Sequence, residues 1–157
     1  MGLDVILIKI NGINSINFDE YGHIIDDNGN IIKDYYNVGY WYKYSFIYNF
    51  FLENNNADGD NGDYIYIEDD DINLLISYIK NDLDYITSLY IINGKFNKDI
   101  YDNIEKYIDS DVLYLQIYYG LSDAEYDKHH IERLKTVLDD LIKSKEIEGK
   151  YYYSYSY

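Results

Sequence analysis

The 157-residue chain has no cysteine and no proline, a single arginine (Arg133), a single tryptophan (Trp41) and few bases, 13 Lys and Arg against 29 Asp and Glu. Without cysteine there is no disulfide, no thiolate metal site and no cysteine nucleophile. A reducing compartment suits such a chain, although the absence alone does not fix one. The N-terminus, MGLDVILIKING, carries Asp4 and lacks the basic segment that opens a signal peptide. Its apolar run is a few residues long, against the roughly 20 that a membrane span needs. A soluble protein is therefore expected. Catalytic signatures are missing as well: there is no GxGxxG or Walker loop to cradle phosphate and no GxSxG elbow.

What is abundant is tyrosine, with 23 residues, together with Ile, Asn and Asp. Ile, Asn, Lys and Tyr share A/T-rich codons, so part of this skew reflects base composition rather than a functional device. The net charge of −16 has no such explanation. A field of that sign repels nucleic acid and anionic membranes and attracts basic surfaces, and it also keeps a small protein in solution.

Periodicity divides the chain into short elements. LDVILIKI (3–10) reads as a buried strand bounded by Asn11-Gly12, and the paired isoleucines around Asp26-Asp27-Asn28-Gly29-Asn30 read as a hairpin. Trp41, Ser45, Tyr48 and Leu52 form a stripe that predicts a helix over 39–53. YIYIE (64–68) is a short strand. Asp69 to Asp71 then start the clearest helix, with Ile72, Leu75, Ile76, Ile79, Leu83 and Ile86 on one face. A shorter helix holds Ile100, Ile104, Tyr107 and Ile108, and VLYLQIYY (112–119) reads as a strand. Ser122 or Asp123 is expected to cap a long helix with Ile131, Leu134, Val137, Leu138 and Leu141 inward. After Gly149, KYYYSYSY forms a strand with Tyr151, Tyr153, Tyr155 and Tyr157 on one face. The expectation is one α+β (or α/β) domain over 1–157: a mixed sheet packed by about four helices, with an N-terminal hairpin inserted at 11–37.

The stretch NADGDNGDYIYIEDDD (56–71) concentrates seven acids with no base. As an EF-hand loop starting at Asp58 it fails, because the sixth position is Asp63 rather than glycine and the twelfth is Asp69 rather than glutamate. A weak, irregular cation site in 56–71 stays open at this point. Otherwise no metal and no cofactor are expected. His129 and His130 do not share a helical face as i, i+4 ligands would, and with His23 they read as surface histidines. Between Lys43 and Lys80 lie Glu53, Asp58, Asp60, Asp63, Glu68, Asp69, Asp70 and Asp71, and no base. Duplex DNA carries about one charge per 1.7 Å of axis, and carboxylates on a loop and a helix start can approach that density. A solvated acidic rim explains the same residues. The aromatic run GYWYKYSFIYNFF suits either a core or a pocket that stacks on a ligand, with Lys43 beside Trp41 and Tyr44 to meet a phosphate.

MGLDV, VGYWYKYSFIYNFF, NADGDNGDYIYI and IYYGLSDAEYDKHHIERLKTVLDDLI together resemble a family of small phage and prophage proteins. Its members open MGLDMYL, carry a YWRKANAIHxWF-like helix and a DGxDDCxxYYVS-like turn, and continue through an FFFGSTxYDxxYxxDL-like segment to a tyrosine-rich tail. The likeness covers most of the chain in the same order, with 11–37 as the variable part. The family's Arg-Lys pair is Tyr42-Lys43 here and its helix histidine is Tyr48, so of that set only Lys43 carries over. The resemblance implies a cytoplasmic accessory protein of a phage or mobile element.

Three functional readings follow. The leading one is a non-enzymatic inhibitor of a host defence factor, of the anti-CRISPR or anti-restriction type. It would mimic nucleic acid toward a basic host protein through Asp58, Asp60, Asp63, Asp69, Asp70 and Asp71, without binding nucleic acid or membrane itself. The second is a sponge for a nucleotide signal, held in an aromatic pocket of Trp41, Lys43 and Tyr44. The third is a structural accessory protein that forms homo-oligomers through its tyrosine-rich terminal strand.

Overall fold

The computed structural model describes residues 4–12, 16–42, 44–55, 64–119 and 126–156. The chain folds as α+β around a four-stranded sheet. Strand β1 (Asp4–Ile10) is followed by the two-residue strands β2 (Asn17–Phe18) and β3 (Ile24–Ile25), then by β4 (Tyr36–Tyr42), helix α1 (Ser45–Asn55) and β5 (Ile65–Ile67). Helix α2 (Asp69–Tyr90) leads into a tight hairpin of β6 (Ile91–Ile92) and β7 (Lys95–Phe96). Helices α3 (Lys98–Asp102), α4 (Tyr114–Tyr119) and α5 (Lys128–Ser144) and strand β8 (Lys150–Ser156) complete the order.

The main sheet runs β4-β1-β8-β5. The order of elements in the chain suggests a mixed sheet, but all three pairings are antiparallel. The reason is that both chain ends enter the centre: β8 returns from α5 directly alongside β1, joining Val5 to Tyr155 and Ile10 to Lys150. Gly149 makes that return with a φ of 133°, and a Cβ there would stand 2.7 Å from the backbone of Ile10. The terminal strand therefore has β1 on one side and β5 along Tyr151 to Tyr153 on the other. Its tyrosines 151, 153 and 155 are core residues, which removes this strand as the oligomerising edge considered above.

Alternation sends Val5, Leu7, Tyr151 and Tyr153 toward the helices and Ile8, Ile10 and Tyr152 to the opposite face. The helical layer closes the first face through Ile72, Leu75, Ile79 and Ile86 of α2 and Ile131, Leu134, Val137 and Leu141 of α5, all buried as their spacing predicts. The second face is covered by the 16–35 region, where Ile24 and Ile32 pack on the sheet. Asp26 to Asn30 turns as expected, with Ile32 N–H donating to the Ile24 carbonyl (2.8 Å). Lys9 is a buried cation at the C-terminal end of α5. Its Nζ donates to the Ser144 carbonyl (3.0 Å) over the Tyr151 ring, where the helix dipole favours positive charge.

Three expected elements differ. The 39–53 segment splits, with Trp41 on β4 and the helix beginning at Ser45. VLYLQIYY is a 3-10 turn (Ser110–Val112) followed by α4, not a strand. The cause is a distant cap, since the buried carboxylate of Asp82 on α2 accepts from Tyr114 N–H (2.8 Å) and Leu115 N–H (3.0 Å) and starts a helical turn there. The long helix is capped by Asp127, which accepts from His130 N–H (2.9 Å); Ser122 and Asp123 lie outside the described residues.

Candidate functional site

Two surfaces collect the candidate residues. The first is the start of α2. Asp69 and Asp70 are exposed and Asp71 is half-buried in the first turn, where unpaired backbone N–H groups favour acids. Glu68 is the N-cap residue, and its side chain makes no capping bond. Burial raises the Asp71 carboxyl above its ordinary value, with Glu68 and Asp70 adding repulsion. Successive residues step by about 100° around a helix, so these three carboxylates fan out around one pole rather than forming a row. Asp58, Asp60 and Asp63 lie outside the described residues.

Seven residues beyond Asp71, on the same side of α2 and about 10 Å along its axis, Tyr78 joins a cluster of rings. It stacks on Tyr118 (5.9 Å between centroids, 23°) and meets Tyr114 edge-on (5.4 Å). Tyr114, Ile117 and Tyr118 are 38%, 51% and 54% exposed, a solvent-facing and largely aromatic patch. Asp82 holds this patch in place through its bonds to the start of α4. Desolvation raises its carboxyl, and the backbone bonds from Leu115 and Tyr114 oppose that.

The second surface is a groove of about 620 Å³ between the edge strand β4 and α5, bordered by Tyr40, Trp41, Tyr44, His129, Arg133 and Val137. Trp41 and Tyr44, the two described members of the expected pocket, do come together here; Lys43 lies outside the described residues. The Trp41 ring lies against Gly39, where a Cβ would sit 2.4 Å from the indole, and its Nε1–H donates to Asp140 (3.2 Å). Tyr44 is buried with the Arg133 guanidinium over its ring at 4.3 Å, and Arg133 also donates to the Tyr42 carbonyl. Sequence reasoning missed Arg133. It arrives from a helix 91 residues after Tyr42, and its only advance signal was being the sole arginine.

Behind the groove the hydroxyls of Tyr44 and Tyr126 and Nε2 of His130 are buried without a hydrogen-bond partner. His130 packs on Tyr126 (4.4 Å), Phe46 (5.0 Å) and Tyr44 (5.6 Å). It is thus an interior residue rather than a surface histidine. Desolvation, with Arg133 adding to it, lowers its pKa to about 4. His129 is exposed, as read, and His23 pairs with Asp19 (2.9 Å).

Among the described residues no group of three His, Asp or Glu side chains is arranged to hold a metal, and no helix is long and apolar enough to cross a membrane. No family model, curated protein or solved structure matches this chain.

Proposed function

We propose that this chain is a non-enzymatic binding protein that occupies a basic, nucleic-acid-binding surface of another protein, offering carboxylates where that surface would hold phosphates. A host defence factor is the target that the resemblance to phage proteins suggests. One observation carries the reading: the acid excess is left largely unneutralised. Against a net charge of −16, the described residues form only three lysine–carboxylate pairs within 4.0 Å, Lys98–Asp102, Lys128–Asp102 and Lys135–Glu132. The acids at the start of α2 take part in none of them.

The tyrosine patch supports the same reading. Arginine guanidinium groups stack on aromatic faces, so Tyr78, Tyr114 and Tyr118 suit an arginine-bearing surface. Attraction of this kind is screened by salt. The tagged protein, incubated with extract from a defence-carrying host, is expected to retain a basic nucleic-acid-binding protein that elutes on raising the salt. Polyanions such as heparin should displace it. Lysine substitution of Asp58, Asp60, Asp63, Asp69, Asp70 and Asp71 should abolish capture. Capture that survives this reversal would end the mimicry reading.

A further inference from the structure

We infer that the groove between β4 and α5 binds a small planar aromatic anion of the mononucleotide class, with Arg133 meeting the phosphate. The site is independent of the acidic face. Arg133 is the sole arginine of a chain with 29 acids, yet among the described residues no carboxylate lies within ion-pair distance of it. The nearby acids are engaged elsewhere. Glu132 accepts from the Tyr101 hydroxyl and pairs with Lys135 (3.4 Å), and Asp140 accepts from Trp41.

The guanidinium is also held ready. One of its five N–H donors goes to the Tyr42 carbonyl and its central carbon lies over the Tyr44 ring, which leaves further donors for an anion. A cation fixed before the ligand arrives loses less freedom on binding. The sheet edge offers the exposed rings of Tyr40 and Tyr42, at 55% and 52% exposure, while Trp41, 5% exposed, forms the buried floor of the groove. Base–aromatic stacking contributes about 1–3 kcal/mol per base. The volume of about 620 Å³ falls within the roughly 300–1,000 Å³ of small-ligand sites.

Charge sets the class. A single arginine, with Glu132 bordering the same groove, matches one phosphate better than a triphosphate. Beyond a Debye length of about 8 Å the chain's negative field is screened. A second cleft of similar volume, beside the hairpin, lacks this combination. It offers Lys33 among Phe18, Tyr35 and Tyr64, and its histidine is already bound to Asp19.

Trp41 is the only tryptophan, so its fluorescence reports on the groove alone. Adenosine and guanosine 5′-monophosphates should change it saturably, their nucleosides should bind at least about tenfold more weakly, as loss of a charge-assisted contact implies, and inorganic phosphate alone should leave the signal unchanged. Arg133→Gln should weaken monophosphate binding by at least about tenfold with unaltered circular dichroism. Tyr40→Ala, which leaves the arginine's contacts intact, should weaken it several-fold. Reversal of Asp69, Asp70 and Asp71 to lysine should leave it in place. No saturable response at millimolar monophosphate, equal binding by Arg133→Gln, or tighter binding of indole-3-acetate than of either nucleotide would overturn the assignment.

Discussion

The aromatic patch on α2 and α4 and the aromatic groove beside β4 are built from the same residue type and differ in the charge fixed beside the rings. At the patch, Tyr78 lies on the same side of α2 as Asp71 and about 10 Å along its axis, and the carboxylate of Asp82 anchors the helix that carries Tyr114 and Tyr118. At the groove, the Arg133 guanidinium lies over the Tyr44 ring, with Trp41 lining the same groove. An aromatic face accepts a cation or another π-system, so under the two proposals above the fixed charge nearby would decide the partner: cations at the patch, an anion at the groove. Counting tyrosines therefore says little about what a given surface would bind.

The comparison can be broken most forcibly at Asp82. This side chain is fully buried and accepts two backbone N–H groups. Removing it leaves those donors unsatisfied, and Asp82→Ala should cost about 4 kcal/mol, read by urea denaturation. The tyrosine near-ultraviolet signal should change, while the Trp41 emission of the folded fraction stays native. Equal disturbance of both signals would mean that the two regions are one cooperative unit.

Acid should act next, from the groove side. His130 has a folded pKa of about 4 against an ordinary 6.5. Between these values the unfolded chain takes a proton that the folded chain refuses, so stability is complete above pH 6.5 and falls as the pH drops toward 4. At about 1.4 kcal/mol per unit the loss reaches about 3 kcal/mol. Asp71 and Asp82, with raised carboxyls, take up protons earlier when folded and oppose this loss at the acid end. Denaturation at several pH values in His130→Asn should show the slope between 6.5 and 4 flattened relative to the parent; an unchanged slope assigns it elsewhere.

A smaller effect is expected at Gly39, where an added Cβ would sit 2.4 Å from the indole. Gly39→Ala should cost about 2 kcal/mol by overpacking and shift the Trp41 emission without altering affinity for a basic partner. Smallest in stability is Tyr118→Ala at the exposed patch, below about 1 kcal/mol, yet it should weaken capture of the basic partner and leave monophosphate binding untouched. If instead it weakens the nucleotide and spares the partner, the assignment of the two regions is reversed.

Much of the fold was legible in the residues because it rests on local periodicity. The apolar stripe of α2, the inward face of α5, the turn at Asp26 to Asn30 and the alternation in β8 all follow from chemistry within a few residues. The errors fall where a distant group intervenes. Leu113 to Tyr119 has the apolar content of a strand, and it coils because Asp82, more than thirty residues earlier, offers two backbone donors an acceptor. Trp41 fits a helical stripe with Ser45 and Tyr48, but pairing with Val5 draws it into the sheet. Of the expected pocket, Trp41 and Tyr44 were found from the aromatic run, whereas Arg133 could not be placed beside them from sequence.

By itself the sequence determined a single domain of mixed helices and strands, α+β or α/β, the buried faces of the long helices and the strongly negative field, because composition and periodicity act locally or through simple sums. The tertiary structure alone decided that the tyrosine-rich end is a central strand, that His130 is interior, and that the one arginine lies over Tyr44 in the groove that Trp41 lines. Those facts depend on which remote segments the sheet and helices bring into contact, and pairwise packing of that kind leaves no trace in residue spacing.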